Sequence, residues 1–103
     1  MKSVLKEKYR YIRFKFRAAR PYSRQEFECF FRQAMLELLG EMYYSECLPK
    51  IISYSKTGGV IKVLRDGERN ARAALALISR FGSDPVHLQV VFVSGTIHGA
   101  RGE

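Results

Sequence analysis

Tyr9-Arg10-Tyr11-Ile12-Arg13-Phe14-Lys15-Phe16-Arg17 decides how this chain is read. From Ile12 onward the even positions, Ile12, Phe14 and Phe16, are apolar. The odd positions, Tyr9, Tyr11, Arg13, Lys15 and Arg17, are aromatic or cationic. An alternation with a period of two is that of a pleated strand with one face on a core. Ile12, Phe14 and Phe16 therefore face inward, and the guanidinium and ammonium groups opposite them meet water or an anion.

Charge outside this stretch sharpens the reading. The net charge is +8, and nine of the 18 Lys and Arg lie in residues 1–24 beside a single acid, Glu7. The other 79 residues hold nine bases and nine acids and are neutral. A cationic region confined to one strand and its flanks is the footprint of a polyanion binder, because each phosphate neutralised releases condensed counterions. A solvated basic surface that only maintains solubility is the plainer alternative. An anionic membrane is a weaker one, since nothing approaches the roughly 20 apolar residues of a spanning helix. A length of 103 residues and an apolar fraction of 47% fit one folded domain over 1–103, with a core over about 9–94 and a loosely ordered tail over about 95–103. Met1 to Lys8 has no long apolar run, so no export signal is expected. Cys29 and Cys47 are isolated, which suits reduced thiols in a cytoplasmic protein, and Cys29 reads as a packed or edge residue of a helix.

Along the chain, Pro21 ends the first strand, and Ser23 with Glu26 forms a capping box flanked by Tyr22 and Phe27 as a hydrophobic staple. Phe27, Phe30, Phe31, Ala34, Met35, Leu38 and Leu39 recur at helical steps, marking a core stripe rather than a cofactor box, and Gly40 is the expected left-handed terminator. Glu41 to Cys47 reads as a short extra helical turn. Lys50 to Tyr54 and Val60 to Leu64 pair as a hairpin across Gly58 and Gly59. Asp66 is positioned to cap a second helix from about Gly67 to Phe81, closed by Gly82, and Val86 to Ser94 is the last strand. The order βαββαβ predicts an α+β, ferredoxin-like or RRM-like two-layer sandwich: a four-stranded antiparallel sheet with two main helices on one face. The first and third strands are then central, and Lys62 extends the basic face of Arg13 and Lys15. In the last strand Val90 and Phe92 would face the helices, which leaves Val91 and Val93 on the other side as candidate protein-interface residues.

The chain offers little for catalysis. His87 and His98 have no carboxylate at motif spacing, and no metal-ligand spacing is present. Arg17, Arg20 and Arg24 lead into a helix amino terminus, a setting that holds phosphate. Small acyl-phosphate hydrolases of this fold use an arginine there, but the glycines that let a backbone wrap a phosphate are missing. Tyr9 and Tyr11 could stack on bases, yet the third strand has no aromatic to complete the platform. Recognition of RNA backbone and shape is therefore preferred over sequence reading.

Four stretches in order, Arg10 to Phe16, Thr57 to Asp66, Ala71 to Ile78 and Val93 to Ile97, resemble the archaeal protein component 2 of ribonuclease P, related to a eukaryotic subunit shared by ribonuclease P and MRP. The resemblance covers about residues 9 to 98. It implies a non-catalytic subunit that binds ribonuclease P RNA, pairs with protein component 3 and helps remove the 5′ leader of precursor tRNA. The RNA and its Mg2+ ions would do the chemistry, and the protein would bind no cofactor of its own. A homodimer or heterotetramer is left open. With this implication, Arg10, Arg13, Lys15, Arg17, Arg20 and Lys62 are the expected RNA-binding set. A small acylphosphatase-like enzyme and a protein-interaction scaffold are the rivals.

Overall fold

A computed structural model describes residues 8–95. Its strands are β1 (Tyr9–Ala18), β2 (Lys50–Ser55), β3 (Gly58–Leu64), β4 (Arg80–Phe81) and β5 (Asp84–Ser94). Its helices are α1 (Arg24–Cys47) and α2 (Glu68–Leu77), with a 3-10 turn at Arg65–Gly67. All strand pairs are antiparallel, in the order β2-β3-β1-β5-β4. The helices cover one face. The predicted sandwich is present, with a fifth, two-residue strand at one edge.

The alternation in β1 dictates this arrangement. Ile12, Phe14 and Phe16 are buried at 0 to 3% exposure while Arg13, Lys15 and Arg17 are exposed. The capping box fixes where α1 begins: Glu26 N donates to Ser23 Oγ at 3.1 Å and Ser23 N donates to Glu26 Oε1 at 3.0 Å. One turn in, Phe27 is fully buried and meets the rings of Phe14, Phe16, Phe31, Tyr54 and Phe81 at centroid distances of 4.6 to 5.8 Å. Each such pair contributes about 0.5–1.5 kcal/mol beyond area burial. Phe27 is thus the hub that fastens α1 to the sheet.

Several boundaries differ from the sequence expectation. Gly40 (φ 74°, ψ 170°) interrupts α1 without ending it; helix resumes to Cys47 and stops at Leu48, whose left-handed backbone (φ 44°) lets its N–H reach Tyr44 O at 2.8 Å. Gly58 and Gly59 are not the hairpin turn, which is Lys56-Thr57; both glycines begin β3. Their small size is what matters, because a Cβ on Gly58 would meet Phe14 O at 2.2 Å. Asp66 does not cap α2, which starts after Gly67 with no side-chain cap. α2 ends at Leu77 rather than Phe81, as Ile78 is extended (φ −70°, ψ 116°). Phe81 instead belongs to β4, and Gly82 (φ 63°) turns the tight hairpin into β5. Extended backbone there carries the Phe81 ring to Phe16, Tyr22, Phe27 and Phe30. Cys47 is buried and donates to Gly67 O at 3.1 Å, whereas Cys29 is exposed rather than packed. His98 and nearly all of the expected tail, together with Lys2 and Lys6, lie outside the described residues.

Candidate nucleic-acid interface

The strand register arranges the face opposite the helices in rows across β3, β1 and β5. Leu64 stands beside Tyr9; Lys62, Tyr11 and Ser94 form the next row; Val60, Arg13 and Phe92 follow; then Gly58, Lys15 and Gln89; and Arg17 stands beside His87. In β2, Lys50 lies beside Lys62 and adds a further cation. The register places no Asp or Glu on this face of β1, β2, β3 or β5. Among the described residues, no carboxylate lies within ion-pair distance of Arg13, Lys15, Arg17, Lys50 or Lys62. Lys62 Nζ sits 4.3 Å from the Tyr9 ring centroid. Among the described residues the result is a cationic surface with no acid close enough to diminish its field. Beside it a groove of 410 Å³ runs past Arg13, Lys15, Ser53, Ser55 and Thr57.

Two of the expected RNA-binding arginines are elsewhere. Arg10 pairs in register with Val63, so it stands on the helix side of β1, where its Nη1 donates to Tyr9 O at 3.0 Å. Its even position in the alternation already carried this information. Arg20 is engaged by the protein itself: Nη1 is 3.4 Å from Glu26 Oε2, Nε is 3.6 Å from Asp84 Oδ2, and the guanidinium lies 3.9 Å from the centroid of the Tyr22 ring. Arg24 is likewise held, by Glu28 Oε2 at 3.0 Å and Ile51 O at 3.1 Å. Two of the three arginines that lead into the α1 amino terminus, Arg20 and Arg24, are therefore engaged by the chain's own groups.

These contacts mark Arg20 as part of a structural knot. Tyr22 Oη donates to Asp84 Oδ2 at 3.0 Å, and Tyr54 Oη donates to Tyr22 O at 2.7 Å. Burial, then the bond to Asp84, pushes the Tyr22 phenol above its ordinary range, and burial raises Tyr54 as well. The Ser23 backbone N–H, followed by the Arg20 charge, holds the Glu26 carboxyl below the ordinary range. Arg20 and Tyr22 tie the β1–α1 corner to Asp84 at the start of β5, Glu26 holds Arg20 in place, and Tyr54 ties β2 to the same corner.

The last strand differs most. β5 carries a bulge: Phe14 pairs with Val90, but Arg13 pairs with Phe92 and Ile12 with Val93, so Val91 is the extra residue. One inserted residue exchanges the faces of everything beyond it. Val93 consequently turns toward the core as a partly buried residue, on the opposite side of the sheet from the one the sequence alternation gives it, while Phe92, 49% exposed, lies on the cationic face. Val91 remains on the surface at 41% exposure. The residues missed from sequence are thus Lys50, which the β2–β3 register would have revealed, and Phe92, which only the bulge exposes.

Together these features define a small α+β sandwich whose sheet face opposite the helices is basic and aromatic, with no group of three or more potential metal ligands among the described residues. The chain belongs to the Rpp14/Pop5 family, whose profile matches residues 10–103. It is 34% identical over 98 residues to ribonuclease P protein component 2 of Methanocaldococcus jannaschii, covering 95% of this chain and 73% of that protein. The protein of the same name from Thermococcus gammatolerans is 30% identical over 96 residues, covering 91% of this chain and 80% of that one. In fold, a chain in the cryo-EM structure of yeast ribonuclease MRP superposes with a TM-score of 0.62 at 8% identity, over 87% of this chain and 76% of that chain. No helix among the described residues is long and apolar enough to cross a membrane.

Proposed function

We propose that this chain is a protein subunit of ribonuclease P that assists the enzyme's RNA in removing the 5′ leader of precursor tRNA. The observation that carries the proposal is the set Arg13, Lys15, Arg17, Lys50 and Lys62 on one acid-free face of a member of the Rpp14/Pop5 family. Each of these cations neutralises a phosphate and releases counterions, lowering the repulsion that opposes RNA compaction and substrate docking. In this reading the RNA, with Mg2+ bound to it, performs the cleavage, and the protein supplies charge and shape. Pairing with protein component 3 belongs to the same reading. Val91, 41% exposed at the β5 bulge, is the more accessible of the two valines for it, and Val93 is partly buried against the core.

Reconstitution tests the proposal. Precursor tRNA cleavage by the cognate RNA is measured with component 3, with and without this chain. The chain should raise the rate at limiting Mg2+, and its Arg13→Ala/Lys15→Ala form should raise it less. No stimulation by the unaltered chain would reject the subunit role. Turnover of an acyl phosphate by the chain alone would favour the enzyme reading instead.

A further inference from the structure

Every phenylalanine except Phe92 belongs to one internal ring network, which also takes in Tyr22 and Tyr54. Phe92 lies half exposed on the opposite side of the sheet. It is there because of the Val91 bulge; without the inserted residue, Phe92 would share the helix side with Val90. Bulges characteristically re-aim a side chain in this way. Its ladder partner is a cation, Arg13, and Lys15 stands one row further along the same face.

Tyr11 lies diagonally across from Phe92, opposite Ser94, a relation that places the two side chains about 7–8 Å apart in antiparallel strands. Neither ring has a ring or cation partner among the described residues, whereas Tyr9 is covered by Lys62. Two unstacked rings therefore flank the Arg13 position on a face without acids. Flat aromatic surfaces interleaved with cations suit unpaired bases, whose faces stack while their phosphates meet guanidinium and ammonium groups. A duplex offers no exposed base faces to such rings. An acid-free basic surround also disfavours an ordinary apolar protein contact.

We propose that Tyr11 and Phe92 form a stacking platform for two successive unpaired RNA nucleotides, with Arg13 holding the phosphate between them and Lys15 the next one. The inference rests on the RNA-subunit reading and adds to it a preference for single-stranded RNA. β5 supplies the second ring that β3 lacks.

The chain has no Trp, so Tyr11→Trp creates a single fluorescent reporter at the platform. It is titrated with an unstructured single-stranded RNA of about eight nucleotides, a blunt RNA duplex of equal length, and inorganic polyphosphate. Single-stranded RNA should quench the indole, and the other two should not. In the otherwise unaltered chain, Phe92→Leu should weaken single-strand binding roughly 5- to 100-fold and leave its salt dependence unchanged. Equal quenching by polyphosphate, or unchanged affinity in Phe92→Leu, overturns the platform. If Arg13→Ala/Lys15→Ala still weakens binding in that case, the RNA-subunit reading survives alone; if it does not, both fall. Loss of component 3 binding in Phe92→Leu with RNA affinity intact would make the ring a protein contact and also overturn the platform.

Discussion

Replacing Arg13 and Lys15 together by alanine removes two of the five cations on the open face. Both side chains are exposed, and neither has an acid partner among the described residues. Stability should therefore change by no more than about 0.5 kcal/mol. RNA affinity should respond far more, and in a diagnostic way. If all five cations meet phosphates, the slope of log K against log salt is about −3.5 to −4.5, which is roughly a 100- to 500-fold loss of affinity between 50 and 200 mM salt. With three cations the slope falls to about −2.1 to −2.7, and the same change in salt costs only roughly 20- to 40-fold. Fluorescence anisotropy with labelled ribonuclease P RNA across that range reads the slope directly. Arg20→Ala is the internal contrast: it cuts the contacts to Glu26, Asp84 and Tyr22, lowers stability modestly, and leaves the slope alone. An unchanged slope in the double variant, or a slope lowered as much by Arg20→Ala, would refute the assignment of phosphate contacts to this face.

Phe27→Ala should cost about 3–5 kcal/mol in urea unfolding, since it empties a site surrounded by five rings; a cost under about 1 kcal/mol would remove Phe27 as the hub. The raised phenols of Tyr22 and Tyr54 hold their protons longer in the folded chain than in the unfolded one. Their contribution is thus complete below the ordinary phenol value of 10.0 and is lost as pH rises above it. Tyr22→Phe should flatten this alkaline decline in denaturant midpoint while Tyr54 keeps part of it; an identical decline in the variant would contradict the burial-driven shift. A thiol reagent should modify Cys29 rapidly and Cys47 only at the rate of local opening, because Cys47 is buried against Gly67. Two equally fast thiols would mean that the α1 end is not closed over the 3-10 turn.

Much of the architecture was legible because its signals are local. The β1 alternation and the Ser23–Glu26 box each lie within a few residues, and both reappear in the structure with the expected burial and hydrogen bonds. What escaped depends on residues far apart in sequence. Capture of Arg20 needs Asp84, brought near only when β5 pairs with β1. Phe81 continues the three- and four-residue spacing of Ala71, Ala74, Leu75 and Ile78, so periodicity alone assigns it to the helix, although ring packing claims it for β4. The Val91 bulge is the sharpest case. Val90 to Val93 is apolar throughout, so the sequence holds no polar marker of where the alternation slips, and the faces of Phe92 and Val93 were exchanged as a result. In the site, Arg13, Lys15, Arg17 and Lys62 were readable from parity; Lys50 and Phe92 required the register.

Site-specific photo-crosslinking addresses the role of the open face most directly. A photoreactive amino acid is placed at Lys15 on the sheet or at Leu77, 66% exposed on the helix side, in the complex reconstituted with ribonuclease P RNA and component 3. The account predicts RNA adducts from position 15 and none from position 77. Adducts from position 77 alone would place the RNA on the helices and contradict it.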